Sequence, residues 1–139
     1  MTEIFNHQFR VRYAEVDPQS VVFNSRYLEY ADILVTEYFR ERRLHGMPVD
    51  LEFHVRRAEL DYLMPIRSDE LIEGRLKVER IGNSSVTMLI SLHGAEDGSH
   101  RADIRLVQVQ VDLESGRPEP VDDALRQAFG FGPAEAAHG

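Results

Sequence analysis

The segment from Phe9 to Arg43, FRVRYAEVDPQSVVFNSRYLEYADILVTEYFRERR, constrains this chain most. It opens with an alternation, Phe9, Val11 and Tyr13, that places apolar side chains on one face of a strand. A polar bend from Ala14 to Ser20 follows, with Asp17 directly before Pro18. After the apolar run Val21, Val22 and Phe23 stand Asn24 and Ser25, either of which can N-cap a helix. Apolar or small residues then recur at Tyr27, Tyr30, Ala31, Leu34, Val35, Tyr38 and Phe39, the three- and four-residue steps of an amphipathic helix. Ile33 adds apolar surface on another face, so the helix is expected to be wrapped, as by a curved sheet. One carboxylate therefore lies a few residues before the unpaired N–H groups of a buried helix, where developing negative charge is stabilised. In outline this is a catalytic arrangement.

The flanking segments supply the wrapping. A strand is predicted from about Ile4 to Tyr13, and Gly46 and Pro48 in LHGMPVD end the helix. Leu51 to Met64 reads as a long strand whose phase changes around Arg56 and Arg57, the mark of a β-bulge in a curved sheet. Pro65 to Glu70 connects to a strand from Leu71 to Ile81, and Gly82-Asn83-Ser84 has turn chemistry. Val86, Met88, Ile90 and Leu92 mark the next strand. The last runs from about Arg101 to Leu113, and a short helix is predicted around Asp122 to Phe129. Residues from about 132 to 139 are expected to be loose. One strand, one long helix and four more strands in succession imply an α+β domain spanning 1–139, an antiparallel sheet curled around a helix.

With 139 residues the chain can bury a proper core, and 42% hydrophobic with 29% charged residues is ordinary for a globular protein. A net charge of −8 argues against nucleic acid as the main partner. The absence of Cys removes disulfides, thiolate metal sites and cysteine nucleophiles. The first residues have no signal-peptide core and no run is long enough to cross a bilayer, so a cytoplasmic protein without membrane contact is expected. The histidines at 7, 45, 54, 93, 100 and 138 show no metal-binding spacing. There is no Gly-x-Ser-x-Gly elbow, Walker loop or Gly-x-Gly-x-x-Gly motif.

Tyr13, Asp17, Val21, Val22, Phe23, Asn24 and Tyr27 together resemble the signature of hotdog-fold acyl-CoA thioesterases of the 4-hydroxybenzoyl-CoA thioesterase type. Two departures stand out: Ser20 replaces the family's usual Gly, and Arg26 stands where Asn is common. The resemblance implies a hotdog fold, assembled as a homodimer or homotetramer with active sites between subunits. It implies hydrolysis of an acyl-CoA or acyl carrier protein thioester without cofactor or metal. Asp17 is then the nucleophile or general base, and the N–H of Asn24 is the principal oxyanion donor. Phe23, Arg26 and Arg67 are expected at the substrate. Arg67 is taken from a set of candidates for coenzyme A phosphates that includes Arg56, Arg57, Lys77 and Arg80. Tyr13 and Tyr27 are expected in the core, and Glu37 as an exposed charge or a structural hydrogen bond rather than a second acid. Two alternatives come from other classes. One is a hydratase or dehydratase of the same fold, against which the lack of His between Phe9 and Arg43 counts. The other is an acyl-CoA sensor that binds without cutting.

Overall fold

The computed structural model describes residues 3–132. The predicted loose tail, apart from its first residue, lies outside the described residues. Five strands, β1 (Phe5–Arg10), β2 (Phe53–Tyr62), β3 (Leu71–Ile81), β4 (Ser85–Gly94) and β5 (His100–Gln110), form one antiparallel sheet in the order β1-β3-β4-β5-β2. The helix α1 (Tyr27–Leu44) lies across its concave face, and a short α2 (Asp123–Ala128) closes one end. This is the hotdog arrangement of curved sheet and central helix.

Alternation puts Ile72, Leu76 and Val78 of β3, Val86, Met88, Ile90 and Leu92 of β4, and Ala102, Ile104 and Leu106 of β5 on the inner face. The predicted helical stripe meets them: Tyr30, Ala31 and Leu34 are 0–1% exposed, with Val35 and Tyr38 close behind. Burying large apolar side chains at about 1.5–3 kcal/mol each makes this layer the main stabilising term. Gly74 lets the two layers meet, because a Cβ there would stand 2.5 Å from Leu34 Cδ2. At its far end α1 stops where Gly46 takes φ +99° and the Met47 N–H reaches back to the Arg42 carbonyl at 3.1 Å. Asp122 caps α2 by accepting the Leu125 N–H at 2.8 Å. Phe129 then joins Tyr38, Phe39 and Phe53 in an aromatic cluster.

The phase change in β2 is a true irregularity, with register shifting between Val55 and Arg57, and β3 has another between Val78 and Arg80. Both bend the sheet around the helix. Two expectations are corrected. First, β1 ends at Arg10, because residues 13–15 turn in a tight 3₁₀ loop drawn in by the Glu15 side chain. Tyr13 is thereby thrown outward, 85% exposed, and is not core; Tyr27 is, at 4%. Second, neither Asn24 nor Ser25 caps the helix. Both lie inside a 3₁₀ turn, Asn24–Arg26, that runs straight into α1, with Phe23 at the cap position and no side-chain cap.

Candidate active site at the start of the central helix

The polar bend is a small hairpin. Val16 pairs with Val22, the Asp17 N–H donates to the Val21 carbonyl at 2.8 Å, and the Ser20 N–H donates to the Asp17 carbonyl at 2.9 Å. Pro18 sits where a fixed φ suits a tight turn. Ser20 follows in the left-handed region at φ +66°, the place that Gly usually fills in such loops. Ser in this conformation is strained by about 1 kcal/mol. Ser20→Gly should therefore raise stability by roughly 0.5 kcal/mol after the added chain entropy of Gly is subtracted. A higher urea midpoint at unchanged slope is the expected result.

The hairpin aims Asp17. One carboxylate oxygen accepts the Gln19 N–H at 2.8 Å and faces the Val21 N–H at 3.5 Å. The other oxygen has no hydrogen-bond partner among the described residues. The turn role of Asp17 thus engages one oxygen only. Directly after the hairpin the Phe23 N–H donates to the Glu15 carbonyl at 3.1 Å, and the Arg26 N–H donates to the Phe23 carbonyl at 2.9 Å. Between them, the N–H groups of Asn24 and Ser25 meet no acceptor among the described residues. They are the orphan donors of a helix start, suited to an oxyanion.

Two supports hold this geometry, and no sequence pattern points to a supporting role for either. Tyr62, at the end of β2, donates its hydroxyl to the Asn24 carbonyl at 3.1 Å and packs edge-on against Tyr27 at 4.8 Å. The other is the segment from Pro65 to Glu70, whose Ile66 carbonyl accepts the Val22 N–H at 2.7 Å and whose Arg67 bridges Val21. That segment is pinned by Arg101, which donates to the Pro65 carbonyl at 2.9 Å and grips Glu70 through two bonds of 3.0 and 2.6 Å.

The Arg101 hydrogen bonds hold the Glu70 carboxyl below its ordinary value of 4.5, against the upward push of burial. A carboxyl with a depressed folded-state pKa stabilises the fold fully above the unfolded pKa. That contribution is lost as pH falls through the folded pKa. Acid unfolding of the wild type should therefore steepen below about pH 4.5, and Glu70→Gln should flatten the stability curve there while lowering stability at pH 7. Denaturant midpoints measured from pH 3 to 7 check both.

Glu15, within the polar bend, is 5% exposed. Burial pushes its carboxyl pKa upward, but the Arg12 backbone N–H and guanidinium and the Tyr30 hydroxyl outweigh this and hold it below the ordinary carboxylate value. Phe23 is 49% exposed beside the helix start. Arg26 is paired with Glu29 at 3.1 Å, which answers the unfavourable placement of a cation at a helix N-terminus. The exposed Arg67 side chain has no ionic partner among the described residues, whereas Arg57 is paired with Glu59. Glu37 pairs with Arg40 at 3.3 Å, away from the hairpin. The structure thus gathers Asp17, Phe23, Asn24, Arg26 and the Arg67 backbone around one helix start. A concavity of about 580 Å³, bordered by Arg75, Lys77, Ser91, His93, His100 and Asp103, touches none of them. Among the described residues no group of three or more His, Asp or Glu is arranged to hold a metal, and no helix is long and apolar enough to cross a membrane.

A curved antiparallel sheet around one long helix is the architecture of hotdog thioesterases. The chain belongs to the thioesterase superfamily, whose model matches residues 19–99. That span holds Phe23, Asn24, Arg26 and Arg67 but begins two residues after Asp17. Among solved structures the chain is similar to a thioesterase from Thermus thermophilus complexed with coenzyme A and Zn, at 26% identity and TM-score 0.80, covering 93% of this chain and 98% of that one. A predicted thioesterase from Bacillus stearothermophilus aligns at 24% identity and TM-score 0.81, over 95% of this chain and 100% of that one. A 1,4-dihydroxy-2-naphthoyl-CoA thioesterase from Synechocystis shares the fold at 15% identity and TM-score 0.80, over 92% and 96% of the two chains. No curated protein matches the chain significantly.

Proposed function

We propose that this thioesterase hydrolyses acyl-CoA thioesters at the start of α1, with Asp17 attacking the carbonyl carbon or activating a water to do so. The observation that carries the reading is the joint placement of an unpartnered Asp17 oxygen and the unpartnered N–H groups of Asn24 and Ser25 on one short hairpin and helix start. As the carbonyl becomes tetrahedral, its oxygen gains negative charge that those N–H groups can take up, Asn24 foremost. Collapse releases the thiol, which leaves as thiolate and takes a proton. If Asp17 attacks directly, an acyl-aspartyl anhydride forms and water cleaves it. If Asp17 is the base, water adds in a single displacement. Neither route calls on a metal or a cofactor.

Coenzyme A as carrier is supported by its presence in the Thermus structure; an acyl carrier protein presents the same pantetheine arm. Phe23 would meet the acyl or pantetheine chain, and Arg67 and Arg26 the carrier's phosphates. The cytoplasm, where such thioesters are made, is the proposed setting. We also read the working form as at least a dimer. β2 is a ten-residue edge strand whose pairing groups lack a partner on one side among the described residues; Val55 and Tyr62 within it and Leu63 and Met64 just after it are 46–56% exposed. Tyr62 meets the start of α1 and Phe53 stacks on Phe39 near its end, so two-fold pairing along β2 sets the Tyr62 end of one copy opposite the Phe53 end of the other. A cavity of about 250 Å³ lined by Val35, Phe39, Val49, Leu51, Phe53 and Gln108 would then lie beside the partner's helix start, where it could receive the acyl group. Light scattering should give a particle of at least two 16.0 kDa chains. A monomer at micromolar concentration overturns the shared site.

The deciding experiment incubates the protein with acetyl-, hexanoyl-, palmitoyl-, benzoyl- and 4-hydroxybenzoyl-CoA and follows free thiol. Enzyme-dependent release from at least one is expected. Binding of these compounds without release overturns hydrolysis and leaves the sensor reading.

A further inference from the structure

We propose that Glu15 is a positioning residue, locking the hairpin that carries Asp17 onto the central helix and so setting Asp17 against the Asn24 N–H. The inference rests on the thioesterase reading above and adds a component to it.

Each polar atom of Glu15's carboxylate and carbonyl is used. One carboxylate oxygen accepts the Arg12 N–H at 2.8 Å and the Tyr30 hydroxyl at 3.0 Å. The other accepts the Arg12 guanidinium at 3.1 and 3.0 Å. Its backbone carbonyl accepts the N–H of Phe23, the residue before Asn24, at 3.1 Å. Tyr30 is 1% exposed in the first turn of α1 and lies against Phe9 at 4.7 Å, so it cannot follow a moving loop. Glu15 therefore grips the helix through its side chain and the entry to that helix through its main chain. Asp17 is only two residues further on, a span of at most about 7 Å, along a backbone already paired at Val16 and Val22.

A buried carboxylate is an expensive way to fill space, because its desolvation must be offset bond by bond. An apolar side chain would pack the bend against Tyr30 at no such cost. What the carboxylate supplies, and an apolar side chain does not, is direction: four bonds that fix both angle and distance. Orientation matters where reacting atoms must meet, since a displacement of about 1 Å can lower a rate roughly a hundredfold.

The test measures thiol release from hexanoyl-CoA and benzoyl-CoA by the wild type, Tyr30→Phe, Glu15→Ala and Glu15→Gln, each with Asp17 intact and with Asp17→Asn. Glu15→Ala should lower kcat by about 10–100-fold with KM little changed, and Tyr30→Phe by roughly tenfold, as misplacement of a reacting group predicts. Glu15→Gln keeps an oxygen for the Arg12 N–H and the Tyr30 hydroxyl and should recover most of the loss. With Asn at position 17, removing Glu15 or the Tyr30 hydroxyl should change the residual rate little, because the group they position is gone. Equal loss in both backgrounds overturns the proposal in favour of a purely structural role. So does Tyr30→Phe at wild-type kcat, which decides the matter even where Glu15→Ala does not fold. A wild type that cleaves no acyl-CoA removes the hydrolase reading and this inference together, a result distinct from an active wild type indifferent to Tyr30.

Discussion

Asp17→Asn is expected to lower kcat for thioester hydrolysis by about 10²–10⁴-fold, the span for losing a general base, with larger losses if Asp17 attacks directly. The substitution removes the charge that attacks carbon or draws a proton from water. It spares the local fold: an amide oxygen can still accept the Gln19 N–H that now bonds one carboxylate oxygen at 2.8 Å, and the main-chain pairing of the hairpin is untouched. Binding of a non-hydrolysable thioether analogue should persist, because the proposed function gives the coenzyme A and acyl contacts to other residues, Phe23, Arg26 and Arg67 among them. The melting temperature should hold or rise, since functional charges are commonly kept at some cost in stability. Turnover at the wild-type rate with Asn at position 17 ends the mechanism proposed above.

The largest effect on stability is expected where α1 meets β3. Leu34→Ala removes a side chain with no exposure and should cost about 2–5 kcal/mol, the range for emptying a rigid core site. Gly74→Ala should also destabilise, by about 1–3 kcal/mol, although Ala is otherwise the better residue. Its new Cβ would fall 2.5, 2.7 and 2.8 Å from three Leu34 carbons, and buried Leu34 has nowhere to retreat. Shortening Leu34 opens that space. The double variant should therefore be more stable than the sum of the two single losses predicts, by about 1 kcal/mol or more, as for residues in direct contact. Urea unfolding of the four proteins checks the cycle. Simple additivity would mean that helix and sheet do not meet at this glycine.

Much of the fold was legible because local periodicity encodes local geometry. The three- and four-residue steps from Tyr27 to Phe39 are the buried stripe of α1, and the break in alternation at Arg56 is the irregularity in β2. Asp17, Phe23, Asn24 and Arg26 were legible together because they lie within ten residues of each other, so one loop and one helix start bring them close whatever the rest of the chain does.

The failures have the same physical origin. Glu15 carries no sign of burial, since a Glu in a polar bend reads as a solvated charge. Only Tyr30, fifteen residues on and fixed by packing, makes its carboxylate an anchor. Tyr13 kept the alternation of β1 but is turned outward by the loop that Glu15 draws in. The hold of Tyr62 on Asn24 and of Arg101 on Glu70 joins residues 38 and 31 positions apart, with no pattern linking them in sequence. The sequence by itself determined the elements, their order and the acid at the mouth of the helix, because backbone propensity and apolar spacing are short-range. The aim of that acid, and the groups that hold it, were decided only by the tertiary structure. Hydrogen-bond direction depends on which distant surfaces the curled sheet brings together.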